Sequence, residues 1–274
     1  MLAMGWPNLT CSRTRRIIVM QREALPHVVI GGAPRSGTTF LCELLAKHPG
    51  VFVARPFIPE PKVLLAPHPD DVAGFRQRYS EFFADAPVGS IRVEKTSNYF
   101  ENDDARERFK RVLPDTQMIF MLREPVARAY SNWLWSTRNG LETLSFAEAV
   151  AAEGSRPSPF GPDRPHVRPY DYLTRARYGS FAEAWISAIG RERIAFFAFE
   201  KAIAEPESFV DELQATVGVD PLPWSRLRTG IVNANGLSDD PPDPQLVKDL
   251  RARLAPEMTR LASLTGLDIS CWGY

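Results

Sequence analysis

The chain has 274 residues, enough for one large α/β domain or at most two small ones. Apolar content of 44% and charged content of 24% are those of a globular protein and exclude disorder as the default state. Thirty-three basic residues balance 33 acidic ones. A long-range basic field for nucleic acid or an anionic membrane is therefore excluded, and an anionic ligand has to be captured by local geometry.

The first 26 residues read as an N-terminal extension and residues 27–274 as one domain. Arg13, Arg15 and Arg16 precede an apolar run of only Ile17 to Met20, too short for a secretory leader. The longest apolar runs fall far short of the roughly 20 residues that span a bilayer, so no membrane anchor is expected. Cys11, Cys42 and Cys271 form neither a CxxC pair nor a metal-ligand spacing, and their odd number argues against a disulfide framework. A reducing, cytoplasmic location is expected.

In chain order, His27 to Gly32 is a short apolar run ending in glycines, read as a buried strand. From Thr38 the apolar positions recur at helical spacing until His48-Pro49-Gly50. Val51 to Val53 predicts a short strand, Arg55 to Pro69 a proline-rich loop and Phe75 to Phe83 a helix. Ile91 to Val93 predicts a strand and Asp103 to Val112 a polar helix. Gln117 to Leu122 is the clearest strand, with a helix after it to about Arg138. Ser145-Phe-Ala-Glu148 and Ser180-Phe-Ala-Glu183 both have capping-box spacing. Between them, Gly154 to Pro169 carries five prolines and predicts a loop. A last strand is expected at Arg193 to Phe199, then helices near Glu207 to Val217 and Gln245 to Leu264. This alternation predicts a three-layer α/β domain with a central, mostly parallel sheet flanked by helices, in an order that periodicity leaves open.

Gly32-Ala-Pro34-Arg35-Ser36-Gly37-Thr38-Thr39 joins the first strand to the first helix. It keeps the P-loop frame G-x-x-x-x-G-K-[ST] except that Thr38 stands where lysine belongs. Backbone N–H groups and the helix N-terminus in that context make an anion cradle. An NTPase needs the loop lysine and an acid at a strand end to hold Mg²⁺. Here the lysine is missing and the strand Gln117 to Leu122 runs into Arg123, a cation suited to a second anionic group. A sulfuryl group carries less negative charge than a terminal phosphoryl, and its transfer can proceed without a metal. The nucleotide with a phosphosulfate at one end and a separate phosphate at the other is 3′-phosphoadenosine-5′-phosphosulfate (PAPS).

With these residues placed, the chain resembles the PAPS-dependent sulfotransferase superfamily, most closely its heparan sulfate branch and bacterial relatives. The resemblance runs from about Val28 to Trp272. It is carried by Gly32 to Thr39, by Val93-Glu94-Lys95-Thr96-Ser-Asn-Tyr99-Phe100, and by Leu122-Arg123-Glu-Pro-Val-Ala-Arg-Ala-Tyr130-Ser131. It implies that Pro34, Arg35, Ser36, Gly37, Thr38 and Thr39 hold the 5′-phosphosulfate, and that Arg123 and Ser131 hold the 3′-phosphate. Tyr178 matches a family tyrosine near the nucleotide, and Glu60 of Glu60-Pro61-Lys62 falls where the family keeps its catalytic glutamate. Glu60 would then be the general base of an in-line displacement, with Lys95 and Arg35 stabilising the charge that develops on the leaving oxygen. The family's heparan-type loop has lysine at Arg35, which is always charged and bidentate but lacks lysine's compact charge. An alternative to the Lys95 role is that Glu94 and Lys95 pair only with each other.

His27, His48, His68 and His166 match no catalytic position of the family and read as structural or surface residues. Trp133, Trp135 and the Gly154 to Pro169 loop are candidates for lining an acceptor site. The expected acceptor is a small molecule, sugar or glycolipid, such as a bacterial secondary metabolite, with no metal and no nucleic-acid partner. Two competing readings are a P-loop kinase with a degenerate phosphate loop and an inactive nucleotide-binding scaffold. The missing lysine and the Arg123 cation weigh against the first, the intact Glu60 and Lys95 against the second.

Overall fold

A computed structural model describes residues 24–56, 58–66, 71–161, 164, 166–228 and 241–274. The expectations for Cys11, the apolar run at 17–20 and His68 lie outside them. Five strands, β1 (Val28–Gly32), β2 (Val51–Val53), β3 (Ile91–Lys95), β4 (Gln117–Leu122) and β5 (Ile194–Ala198), form one sheet in the order β2-β3-β1-β4-β5. Every pairing is parallel. The helices are α1 (Thr38–Ala46), α2 (Val72–Phe82), α3 (Asp103–Val112), α4 (Pro125–Arg138) and α5 (Phe146–Ala151), then α6 (Tyr178–Ile189), α7 (Phe199–Ala204), α8 (Pro206–Val217), α9 (Trp224–Leu227) and α10 (Pro244–Thr265).

A parallel sheet is buried on both faces because its crossover helices cover them, and the alternation of side chains along each strand divides the core in two. Val29, Met118, Phe120 and Phe196 face α2, α3, α6 and α10, packing on Tyr79, Phe109, Trp185 and Met258. Val28, Ile30, Ile119 and Phe197 face the other way, onto Leu41 and Leu44 of α1 and Val210 and Leu213 of α8. The chain leaves β1 toward β2 on one side and crosses to β4 on the other. In such sheets the ligand crevice opens at the carboxyl ends of the strands where that direction reverses, here β1 and β4.

Local chemistry sets most boundaries. Asn102 caps α3 through the N–H of Ala105 at 2.8 Å, with Asp103 and Asp104 in the first turn and Lys110 and Arg111 in the last. Glu124 caps α4 through Ala127 at 2.6 Å. Ser145 and Glu148 form the reciprocal capping box expected of them. The second box does not form. Helix α6 begins two residues before Ser180, and the Ser180 hydroxyl and N–H bind Glu257 of α10 at 2.7 and 2.8 Å instead. The strand expected at Arg193 to Phe199 is a residue shorter at each end, because a 3-10 turn occupies Arg191–Arg193 and Phe199 opens α7. Strand β3 extends two residues past Val93, through Glu94 and Lys95.

Candidate active site

The carboxyl ends of β1, β3, β4 and β5, with the segment after β2, converge on one edge of the sheet. The loop after β1 is shaped by left-handed residues, Arg35 at φ 69° and Gly37 at φ 84°. A Cβ on Gly37 would lie 2.3 Å from Cδ2 of Phe199, so both conformation and packing require glycine there. Gly37→Ala is expected to cost about 1–2 kcal/mol for the left-handed backbone alone, plus the displacement of Phe199. Thermal unfolding should register this as a fall of about 2–4 °C in Tm per kcal/mol. Helix α1 then begins at Thr38 with no side-chain cap, leaving its first N–H groups toward the loop.

Arg35 is largely buried, and its Nε donates to the Ser131 hydroxyl on α4 at 3.3 Å. Burial pulls its pKa down to about 10, helped by the charges of Arg123, Arg128, Arg138 and Arg175. It stays cationic at neutral pH. Arg175 is neutralised by Glu101, with a 2.6 Å ion pair. Arg128 is fully buried and donates to the Tyr172 carbonyl, while its Nε and one terminal nitrogen find no hydrogen bond. The Arg123 guanidinium lies 5.5 Å from the Phe199 ring, the same ring that abuts Gly37. Tyr178 is fully buried, and its hydroxyl donates to the Arg123 carbonyl at 3.1 Å, which braces the end of β4. Burial first, against the pull of Arg128 and the Ser36 hydroxyl, raises Tyr178 to about 12. Pro34, Ser36 and Thr38 are buried within the loop.

Lys95, only 3% exposed, joins the two halves of the edge. Its Nζ is 2.9 Å from Oε1 of Glu60 and donates to the Thr39 hydroxyl at 3.2 Å. The Glu60 carboxylate also accepts from the Ser97 hydroxyl at 2.8 Å and the Ser97 N–H at 3.2 Å. Glu94 does not pair with Lys95. Adjacent strand residues point to opposite faces, and Glu94 instead accepts from the Thr96 hydroxyl.

The Gly154 to Pro169 loop reaches this edge through His166, whose Nε2 is 3.2 Å from Lys62 Nζ and whose carbonyl accepts from Asn98 at 3.2 Å. Burial and the Lys62 charge lower the His166 pKa. The loop is fastened at both ends, by a two-pronged Arg156–Glu142 contact at 2.9 and 2.7 Å and by Asn132 and Ser136 donating to Pro169. Trp133 stacks on Tyr130 and packs against Phe146, in a small core of its own.

Of the sequence-predicted residues, Arg35 thus contacts Ser131, and Lys95 contacts both Thr39 and Glu60. Sequence reasoning missed Ser97, Phe199, Lys62 with His166, and the arginines behind Arg35. Phe199 reads in the sequence only as the last residue of an expected strand, and no periodicity marks a contact from a proline-rich loop.

A phosphate-type loop on a central parallel strand, backed by buried cations and joined through lysine to a carboxylate, defines a group-transfer enzyme of the P-loop-like α/β class. The model of the sulfotransferase family matches residues 26–225, and the chain belongs to that family. It is 27% identical over 240 residues to the bifunctional heparan sulfate N-deacetylase/N-sulfotransferase 3 of Mus musculus, covering 79% of this chain and 25% of that protein. It is 24% identical over 198 residues to the heparan sulfate glucosamine 3-O-sulfotransferase 6 of Homo sapiens, covering 72% of this chain and 54% of that protein. The chain thus spans about a quarter and about half the length of these relatives. Among solved structures, the sulfotransferase from Alicyclobacillus acidocaldarius superposes with a TM-score of 0.74 at 26% identity, covering 92% of this chain and all of that one. The sulfotransferase domain from the curacin biosynthetic pathway shares the fold, with a TM-score of 0.52 at 17% identity.

Proposed function

We propose that the protein transfers a sulfuryl group from PAPS to a hydroxyl of a small-molecule, sugar or glycolipid acceptor, with Glu60 as general base. The observation that carries this reading is Lys95, bonded at once to Glu60 and to Thr39 of the phosphate-type loop. One ammonium thereby ties the proton acceptor to the anion cradle.

The residues present fit a nucleotide with two anionic ends. The Ser36 hydroxyl oxygen is buried without a hydrogen bond of ordinary geometry, and Arg128 has two such nitrogens. Arg35, Arg123 and Arg128 lie close together in a chain of zero net charge, so the positive charge there is local. Arg35, Ser36, Thr38, Thr39 and the first amides of α1 would hold the 5′ end, and Arg123 with Ser131 the 3′-phosphate. PAPS, when bound, supplies a sulfuryl group on a phosphate that leaves readily. Glu60 takes the acceptor's proton at its carboxylate, and the Ser97 hydroxyl and N–H keep that carboxylate oriented. Lys95 places its positive charge where negative charge grows. A cytoplasmic location is proposed with this activity, on the cysteine count alone.

Supplying PAPS to the protein with a panel of candidate alcohols, EDTA present, and looking for an added sulfuryl by mass spectrometry tests the reading. A product is expected. Transfer of a phosphoryl from ATP with Mg²⁺, and none from PAPS, would replace it with the kinase reading. Arg123→Ala should weaken PAPS and adenosine 3′,5′-bisphosphate, each phosphate contact being worth about 1.5–3 kcal/mol. Calorimetry with a nucleotide lacking the 3′-phosphate should show a much smaller loss. Equal losses would mean that Arg123 does not read that group.

A further inference from the structure

We propose that Glu94 is a positioning residue that, through Thr96 and Tyr99, fixes the backbone of the segment carrying Glu60 and Lys62. The proposal rests on Glu60 being the base. Glu94 is fully buried at the end of β3, and its Oε1 accepts from the Thr96 hydroxyl. That hydroxyl in turn accepts from the Lys62 N–H at 3.0 Å. The Tyr99 hydroxyl accepts from the Leu64 N–H at 3.2 Å and lies 3.5 Å from the Tyr79 hydroxyl on α2. The amides two and four residues beyond Glu60 therefore end on a buried polar cluster rather than on a neighbouring strand. Ser97 holds the Glu60 side chain while Thr96, one residue earlier, holds the backbone two residues on, at Lys62. Because the Thr96 proton is given to Glu94, its lone pairs are left for Lys62.

The cluster is also tuned for charge. The groups around Glu94 are Glu60 from the β2 segment, Lys95 on its own strand, Tyr79 from α2, Tyr99 from the turn after β3, and Cys42 from α1. Burial, with the Glu60 charge adding to it, pushes Glu94 up to about 8 against the pull of Thr96, Lys95 and Tyr99. Below that pH Glu94 is uncharged and Lys95 has one carboxylate to serve. Above it a second negative charge lies near the Glu60–Lys95 pair without contacting Lys95.

The test compares Thr96→Val, Glu94→Gln and Glu60→Gln in the full chain. Two readouts are taken: hydrogen exchange of the 60–66 peptide, and release of adenosine 3′,5′-bisphosphate from PAPS with the alcohol selected by the acceptor screen. Thr96→Val should speed exchange of that peptide about tenfold or more. It should lower kcat by about tenfold to a hundredfold, the scale of a misplaced catalytic group, with the Kd for PAPS within about twofold. A fall in kcat is expected of the parent above about pH 8, and Glu94→Gln, which still offers an acceptor oxygen, should keep most of its turnover and lose that fall. Unchanged exchange in Thr96→Val, a general loss of Tm and nucleotide binding in its place, or an alkaline limb in Glu94→Gln identical to the parent's would each overturn the proposal. An active Glu60→Gln would instead sink the base assignment, and the exchange data would still judge the positioning.

Discussion

Glu60→Gln is expected to lower kcat by a factor of about 10²–10⁴, the usual contribution of a general base, with the Kd for PAPS almost unchanged. The amide retains one of the two oxygens that the Ser97 hydroxyl (Oε1, 2.8 Å) and N–H (Oε2, 3.2 Å) now bind, but it cannot take the acceptor's proton. Isothermal titration with PAPS and turnover with an unactivated alcohol separate the two effects. Near-normal turnover would move the base elsewhere. His48 is a poor substitute, since both ring nitrogens are engaged, with the Gly50 N–H at 3.0 Å and the Asp220 carbonyl at 2.9 Å. His166, 3.2 Å from Lys62, would be the residue to replace next.

Lys95→Ala should lower kcat by about 10²–10³, the scale for losing one donor to a developing anion. Binding should suffer less, because the charge is needed most as the S–O bond breaks. The variant also strips Glu60 of the ammonium now 2.9 Å away and leaves Thr39 without that donor. The double variant with Glu60→Gln should fall short of the product of the single losses, since both groups act on one transition state. Single-turnover rates at saturating PAPS measure this. A Lys95→Ala protein that binds PAPS poorly but turns over normally once saturated would assign Lys95 to ground-state binding alone.

Much of this arrangement is readable from the residues in order. The runs at Val28–Gly32 and Gln117–Leu122 announce buried strands because crossover helices cover both faces, and the glycines of the loop announce a tight turn. Strand order is not written in periodicity. It depends on which crossover passes which neighbour, and so the contacts between β1, β3 and β4 emerge only in space. The Lys95–Glu60 pair joins positions 35 residues apart, and Arg35 meets Ser131 across 96. Ser180 shows the converse hazard. Its spacing to Glu183 fits a cap, but a carboxylate on α10, Glu257, outcompetes that local use. Lys95 reads as a residue just past a strand because Val93 ends the apolar run, yet hydrogen bonding carries β3 two residues further into polar sequence.

The chemistry is divided unequally between strong and weak parts of the sheet. The cradle hangs from β1, a central strand paired on both sides, whereas Glu60 follows β2, an edge strand of three residues with a single partner. Opening free energies in a folded protein range from near zero at edges to the global value in central strands. Fraying of β2 is therefore expected to loosen the segment leading to Glu60 before the nucleotide half, with the Lys95 and Ser97 contacts as its remaining hold. On warming, turnover is accordingly expected to fail before PAPS binding does, which parallel thermal scans of the two would measure.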